Sequence, residues 1–163
     1  MATLHLIVGL PCSGKTTLAR QLEAEYSALR LTTDEWHIRL FGHDFGANMT
    51  ASDEAKHDSR HALVESIMWD LAARVLVLGV DVILDFGTWV RSQREEIRSR
   101  ARELGVAFKI HFADVPEEVL FERLEARNDV HEGETLCIPA AKLKEWIQIF
   151  EPPSSEELDS SRD

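Results

Sequence analysis

Leu4-His5-Leu6-Ile7-Val8-Gly9-Leu10-Pro11-Cys12-Ser13-Gly14-Lys15-Thr16 is the stretch on which the fold turns. An apolar run ends at Gly9, and residues Gly9 to Thr16 match the pattern G-x-x-x-x-G-K-[ST]. Helix formers follow in Thr17-Leu18-Ala19-Arg20-Gln21-Leu22. Strand, glycine loop and helix, in that order, are the context in which this pattern cradles a triphosphate. Gly9 and Gly14 allow backbone conformations that gather amide N–H groups around an anion. A helix starting at Lys15 points its positive end at the same place. Lys15 is expected to reach the β- and γ-phosphates and the Thr16 hydroxyl to ligate Mg²⁺. The nucleotide-contacting set is therefore Gly9, Pro11, Cys12, Ser13, Gly14, Lys15, Thr16 and Thr17.

Outward from this loop, strands alternate with helices. Ala28 to Thr32 reads as a second strand, and Asp34 to Phe41 as a helix capped by Thr33 or Asp34. Gly42 to Met49 reads as loop. Ser52 to Leu78 reads as one long helix with Leu63, Ile67, Leu71 and Val75 at helical spacing, closed by Gly79. Val80 to Asp85 is a third strand, Gln93 to Leu104 a basic helix, and Val106 to Phe112 a fourth strand. Pro116 opens a helix to about Arg127, Asn128 to Cys137 is a polar loop, and Pro139 opens a helix to about Phe150. The alternation predicts an α/β fold of the P-loop NTPase type. It has three layers: a parallel sheet of four or five strands, with helices on both faces, and a small lid. Residues 1–153 form that domain, and 154–163 an acidic, mobile tail. Ligands in such sheets bind at the carboxyl ends of the strands, here Gly9, Asp34, Asp85 and Asp114.

Composition narrows the partners. The chain has 163 residues, enough for one domain, and a net charge of −11. That charge argues against a broad nucleic-acid surface, which needs clustered Lys and Arg. No apolar run approaches the ~20 residues of a membrane span, and no secretory leader is read at the N-terminus. The cysteines, Cys12 and Cys137, suggest no disulfide framework. A cytoplasmic protein, monomer or homodimer, is expected. Cys12 lies where a thiolate would be stabilised, which leaves redox control open beside a tolerant loop position.

Phosphoryl transfer needs an acceptor held in line with the γ-phosphate, together with charge neutralisation. Asp34 is the candidate base for an acceptor hydroxyl, its plainer role being a helix cap. Asp85 ends an apolar strand, as a Mg²⁺-holding carboxylate does, so Thr16 and Asp85 form the metal pair. Gly87 and Trp89 are placed to shape an acceptor pocket, Trp89 reading equally well as a core residue. Arg123 and Arg127 are four apart on one helical face and suit a lid closing over phosphates. Their alternative is a salt-bridged surface. Arg91 and Arg94 could equally meet an anion. His57 and His61 have i, i+4 spacing, yet no Cys or carboxylate completes a metal motif around them, so they read as pocket or surface histidines.

With these residues in place the chain resembles the P-loop kinases grouped with zeta toxins, chloramphenicol phosphotransferase and the kinase domain of polynucleotide kinase. The resemblance rests on Thr33-Asp34-Glu35-Trp36 with Arg39-Leu40-Phe41-Gly42, on Leu84-Asp85-Phe86-Gly87-Thr88-Trp89, and on Arg123-Leu124 with Arg127-Asn128. Phe150-Glu151-Pro152-Pro153 fits bacterial ATP-binding members of the group. It implies transfer of the ATP γ-phosphate to a hydroxyl, with Asp34 as base. Many relatives carry an arginine where this chain has His37, which counts against a polynucleotide 5′-hydroxyl acceptor. A small hydroxylated molecule, such as a nucleoside, an antibiotic or another metabolite, is the expected acceptor. The alternatives are a polynucleotide 5′-hydroxyl kinase and an ATP-binding or NTPase module without an acceptor. No Asn-Lys-x-Asp guanine signature supports a GTPase switch.

Overall fold

The computed structural model describes residues 1–129 and 137–159. Strand β1 (Thr3–Val8) is buried along nearly its whole length, as its unbroken apolar run requires of a central parallel strand. It pairs in parallel with β3 (Val82–Asp85), Leu6 opposite Leu84, and with β4 (Ala107–Phe112), Leu6 opposite Ile110. β2 (Leu29–Thr32) pairs with β3, placing Thr32 beside Asp85. The sheet has four parallel strands, within the four or five expected, and their order is β2-β3-β1-β4. The chain crosses from one side of β1 to the other, so the crevice at its carboxyl end is where a ligand belongs.

Alternation along β1 sends side chains to two helical layers. Leu4, Leu6 and Val8 pack with Val64, Met68, Ala72 and Leu76 of α3 (Ala51–Val77) and with Ile97 and Ala101 of α4 (Arg91–Glu103). Ile7 faces the other way, against Ala19 and Leu22 of α1 (Lys15–Tyr26). A third cluster joins Leu120 and Leu124 of α5 (Glu117–Asp129) to Leu143 of α6 (Ala140–Ile149). Leu10 and Cys12 of the glycine loop pack against it, which seats α5 and α6 beside that loop.

Several expectations need correction. The buried stripe of α3 is Val64, Met68, Ala72 and Leu76, whereas Leu63 and Ile67 are exposed. α2 (Thr33–Phe41) begins one residue earlier than expected, with Thr32 as its N-cap, so Asp34 lies in the first turn and caps nothing. Asp34 follows the strand end rather than forming it. Asp114 is exposed, away from the strand-end crevice. Ser155–Asp159 forms a short helix, α7, and Glu157 is 2% exposed, so this part of the acidic tail is docked rather than solvated. Of the expected lid loop 128–137, residues 130–136 lie outside the described residues.

Candidate active site

The loop between β1 and α1 is built for an anion. Gly14 has φ +88° and Cys12 φ +67°, left-handed conformations that turn successive N–H groups to one side. Gly9 is needed for space instead: a Cβ there would lie 2.6 Å from Ser13 Oγ and 3.1 Å from the Ala113 carbonyl oxygen. α1 has no side-chain cap and no acidic residue in its first turn, so its leading N–H groups keep their positive end open to a ligand. Ser13 Oγ is buried and has no hydrogen-bond partner among the described residues, an arrangement a bound phosphate oxygen would complete.

A cavity of about 1250 Å³ opens over this loop, lined by Pro11 through Thr17 and, opposite them, by Asp34, Asp85, Arg123 and Arg127. A drug-sized site occupies about 300–1,000 Å³, so there is room for a nucleotide and a second molecule. Lys15 Nζ donates to the Leu10 carbonyl at 3.1 Å. Burial holds its pKa below the ordinary value, against the pull of Asp85 and Asp34. Thr16 Oγ1 donates to Asp85 Oδ2 at 2.8 Å, and Thr32 Oγ1 to the same oxygen at 3.2 Å. Burial pushes the Asp85 carboxyl up, a shift that a bound cation would reverse. Arg30 extends the chain by donating to Thr32 Oγ1 at 2.5 Å and to Glu35 at 2.9 Å. Thr16 and Asp85 together offer the hydroxyl and carboxylate oxygens that Mg²⁺ takes.

Asp34 faces the cavity, with its side chain 46% exposed. His61 Nε2 lies 3.4 Å from its Oδ1, and Glu65 lies 3.6 Å from His61 Nδ1. Burial opposes ionisation of Asp34, but the His61 hydrogen bond and the charges of His61, Lys15 and Arg127 outweigh it and hold its pKa low. Burial also opposes the charged form of His61, and there Asp34 and Glu65 win, leaving its pKa raised. Glu65 itself is raised by burial. Sequence spacing placed His61 near a pocket but did not find this Glu65–His61–Asp34 line. The three residues come from α2 and α3, and Glu65 stands one helical turn beyond His61.

The four arginines separate cleanly. Arg123 donates to the Cys12 carbonyl at 3.2 Å and Arg127 reaches Cys12 Sγ at 3.8 Å, so both lie over the loop. Arg94 is 1% exposed and holds Glu157 through Nε at 2.8 Å and Nη2 at 3.2 Å. It also donates to the Glu151 carbonyl at 2.9 Å. Arg91 is exposed, 4.0 Å from Glu156. Arg94 therefore serves the C-terminal segment, and neither Arg91 nor Arg94 is among the residues that line the cavity. Ser154 and Glu157 also form the reciprocal capping pair that starts α7, a Ser-x-x-Glu spacing visible in the sequence.

Residues 4–153 match the AAA domain family, and the chain belongs to it. Its fold is that of the P-loop kinases. A candidate kinase from Chloroflexus aurantiacus superposes with TM-score 0.72 at 18% identity, over 93% of this chain and 78% of that one. A sugar kinase from Janibacter sp. HTCC2649 gives 0.65 at 20% identity, over 96% and 82%. Chaetomium thermophilum Kti12, in complex with ADP-AlF3, gives 0.67 at 19% identity, over 94% and 82%. No curated protein matches this chain. A P-loop fold is thereby established, and no helix among the described residues is long and apolar enough to cross a membrane.

Proposed function

We propose that this protein is an ATP-dependent phosphotransferase that moves the γ-phosphate to a hydroxyl of a small molecule. The observation that carries the reading is Asp34, an ionised carboxylate on the open side of the cavity that holds the Lys15 loop. In that position a carboxylate can accept the proton of an acceptor hydroxyl as its oxygen attacks the γ-phosphorus and ADP leaves. Lys15 and the N–H groups of the loop hold the phosphates, and Arg123 and Arg127 meet the charge shared between the departing and attacking oxygens. Mg²⁺, held by Thr16 and Asp85, would neutralise the β- and γ-oxygens.

The acceptor side is lined by His61, Glu65 and Asp58, with Trp89, Phe45 and Trp146. Aromatic faces beside carboxylates suit a compact hydroxylated ligand and repel a polyanion. His37 is fully buried and tied to Asp44, so no side chain there is offered to a polynucleotide 5′ end. An NTPase module without an acceptor would have no use for an ionised carboxylate at this place. The test is transfer of labelled γ-phosphate from ATP to a panel of nucleosides, aminoglycosides and sugars, with an oligonucleotide as comparison. Label on a small hydroxylated molecule supports the reading. Label on the oligonucleotide alone, or phosphate release indifferent to every acceptor, overturns it.

A further inference from the structure

Away from the phosphates, three side chains from α2, the 42–50 loop and α3 converge on one point. His37 Nε2 lies 2.6 Å and His57 Nδ1 2.7 Å from the same oxygen, Asp44 Oδ1. All three donor atoms lie within 4.8 Å of one another. His37 is 0% exposed and His57 6%. We propose that His37, Asp44 and His57 form a binding site for a divalent transition ion of the zinc class.

The donor set suits that ion: two imidazoles and a carboxylate are borderline ligands that zinc takes with bonds of ~2.0–2.2 Å. Tetrahedral ligands at that distance stand about 3.3 Å apart, so Asp44 must withdraw by a little over half an ångström from both rings. Asp44 sits in a loop that starts at Gly42, whose φ is +76°. The rings are already fixed. Phe41 packs edge-on against His37 at 5.3 Å between centroids, and Phe45 against His57 at 4.9 Å. Arg60 donates to the other carboxylate oxygen, Asp44 Oδ2, at 2.9 Å, the kind of outer contact that orients a ligating carboxylate.

In the metal-free chain each ring can donate an N–H to Asp44 Oδ1. On binding, each neutral ring carries its proton on the other nitrogen, and the two freed lone pairs and the carboxylate oxygen go to the ion. The ion would pin α2 to α3 and fix His57, which lines the same cavity as Asp34. Sequence spacing gave only His57 and His61 and no carboxylate. The carboxylate comes from a loop thirteen residues before His57, and the second imidazole is His37 rather than His61.

The test uses the full chain, stripped with a chelator and kept free of nucleotide. It is titrated with ZnCl₂, desalted, and assayed for metal content and thermal unfolding. One zinc retained per chain, a higher Tm, and binding at least ~10-fold weaker in both Asp44→Ala and His57→Gln are expected. Circular dichroism of the variants without metal reports whether they fold, and Asp44→Ala, being a loop change, is the variant expected to do so. Failure of the wild-type chain to retain zinc overturns the site. Zinc retained equally by a folded Asp44→Ala chain also overturns it, because the ion would then be held elsewhere.

Discussion

Lys15 and Arg94 are both cations drawn into the protein, and they are partnered in opposite ways. Arg94 has a bidentate carboxylate and a backbone carbonyl around its guanidinium, and almost none of it reaches solvent. Lys15 has one hydrogen bond among the described residues, to a loop carbonyl, and burial holds its pKa down. A cation that serves the fold has its donors filled when the chain folds. A cation that serves a ligand is left under-filled, at some cost to the unliganded state, until an anion arrives. The same contrast separates two helix starts. α3 opens on a reciprocal Thr50–Asp53 capping box, while α1 opens on bare N–H groups.

The largest change should follow loss of the base. Asp34→Asn keeps the shape of the side chain but cannot take the acceptor's proton, and transfer should fall ~10²–10⁴-fold with ATP affinity retained. Transfer at the parental rate would leave Asp34 without a chemical role. On the other side of the comparison, Glu157→Ala leaves the Arg94 charge buried and unpaired. It should cost about 3–5 kcal/mol in denaturant unfolding, with nucleotide binding intact in the folded fraction. A loss under about 1 kcal/mol would mean that the C-terminal segment is not anchored there.

Which arginines meet the ligand, Arg91 and Arg94 or Arg123 and Arg127, could not be read from the sequence. Arg94 and Arg91 follow Asp85 closely, just as anion-binding arginines would, and the partner that removes Arg94 from the site is 63 residues further along. The Lys15 loop was legible because its chemistry is local: glycines, lysine and threonine at fixed spacing between a strand and a helix. The buried face of α3 was misread because Leu63 and Val64, Ile67 and Met68, and Leu71 and Ala72 are adjacent apolar pairs. Either stripe has helical spacing, and only packing on the sheet chooses between them. Asp34, Asp85, Arg123 and Arg127 all line the cavity, where a strand end, the first turn after a strand and a helical face bring them. Glu65, Thr32 and Asp44 were missed because each acts through a contact made in space.

Smaller effects sharpen the contrast. Arg127→Ala should slow transfer by one to two orders of magnitude, about 10–100-fold, with a lesser loss of ATP affinity, because its charge counts most as the phosphoryl group is in flight. Equal losses in both would make it a ground-state phosphate contact. His61→Gln should act through pH. With the imidazolium gone, the force holding the Asp34 pKa low weakens, so its folded pKa rises. The acid limb of the kcat profile should therefore move to higher pH, with the plateau above it little changed. An unmoved limb would uncouple His61 from Asp34.

The most direct measurement is calorimetric titration of the wild-type chain and Lys15→Ala with ATP and Mg²⁺, alongside thermal unfolding of both without ligand. The Lys15 pKa lies below its unfolded value, so its charge at neutral pH opposes the unliganded fold and contributes no stability to lose. Wild-type binding, loss of measurable affinity in Lys15→Ala, and a Tm equal to or above the parent's are the predicted results. Unchanged affinity in Lys15→Ala, or a Tm well below the parent's, contradicts the account.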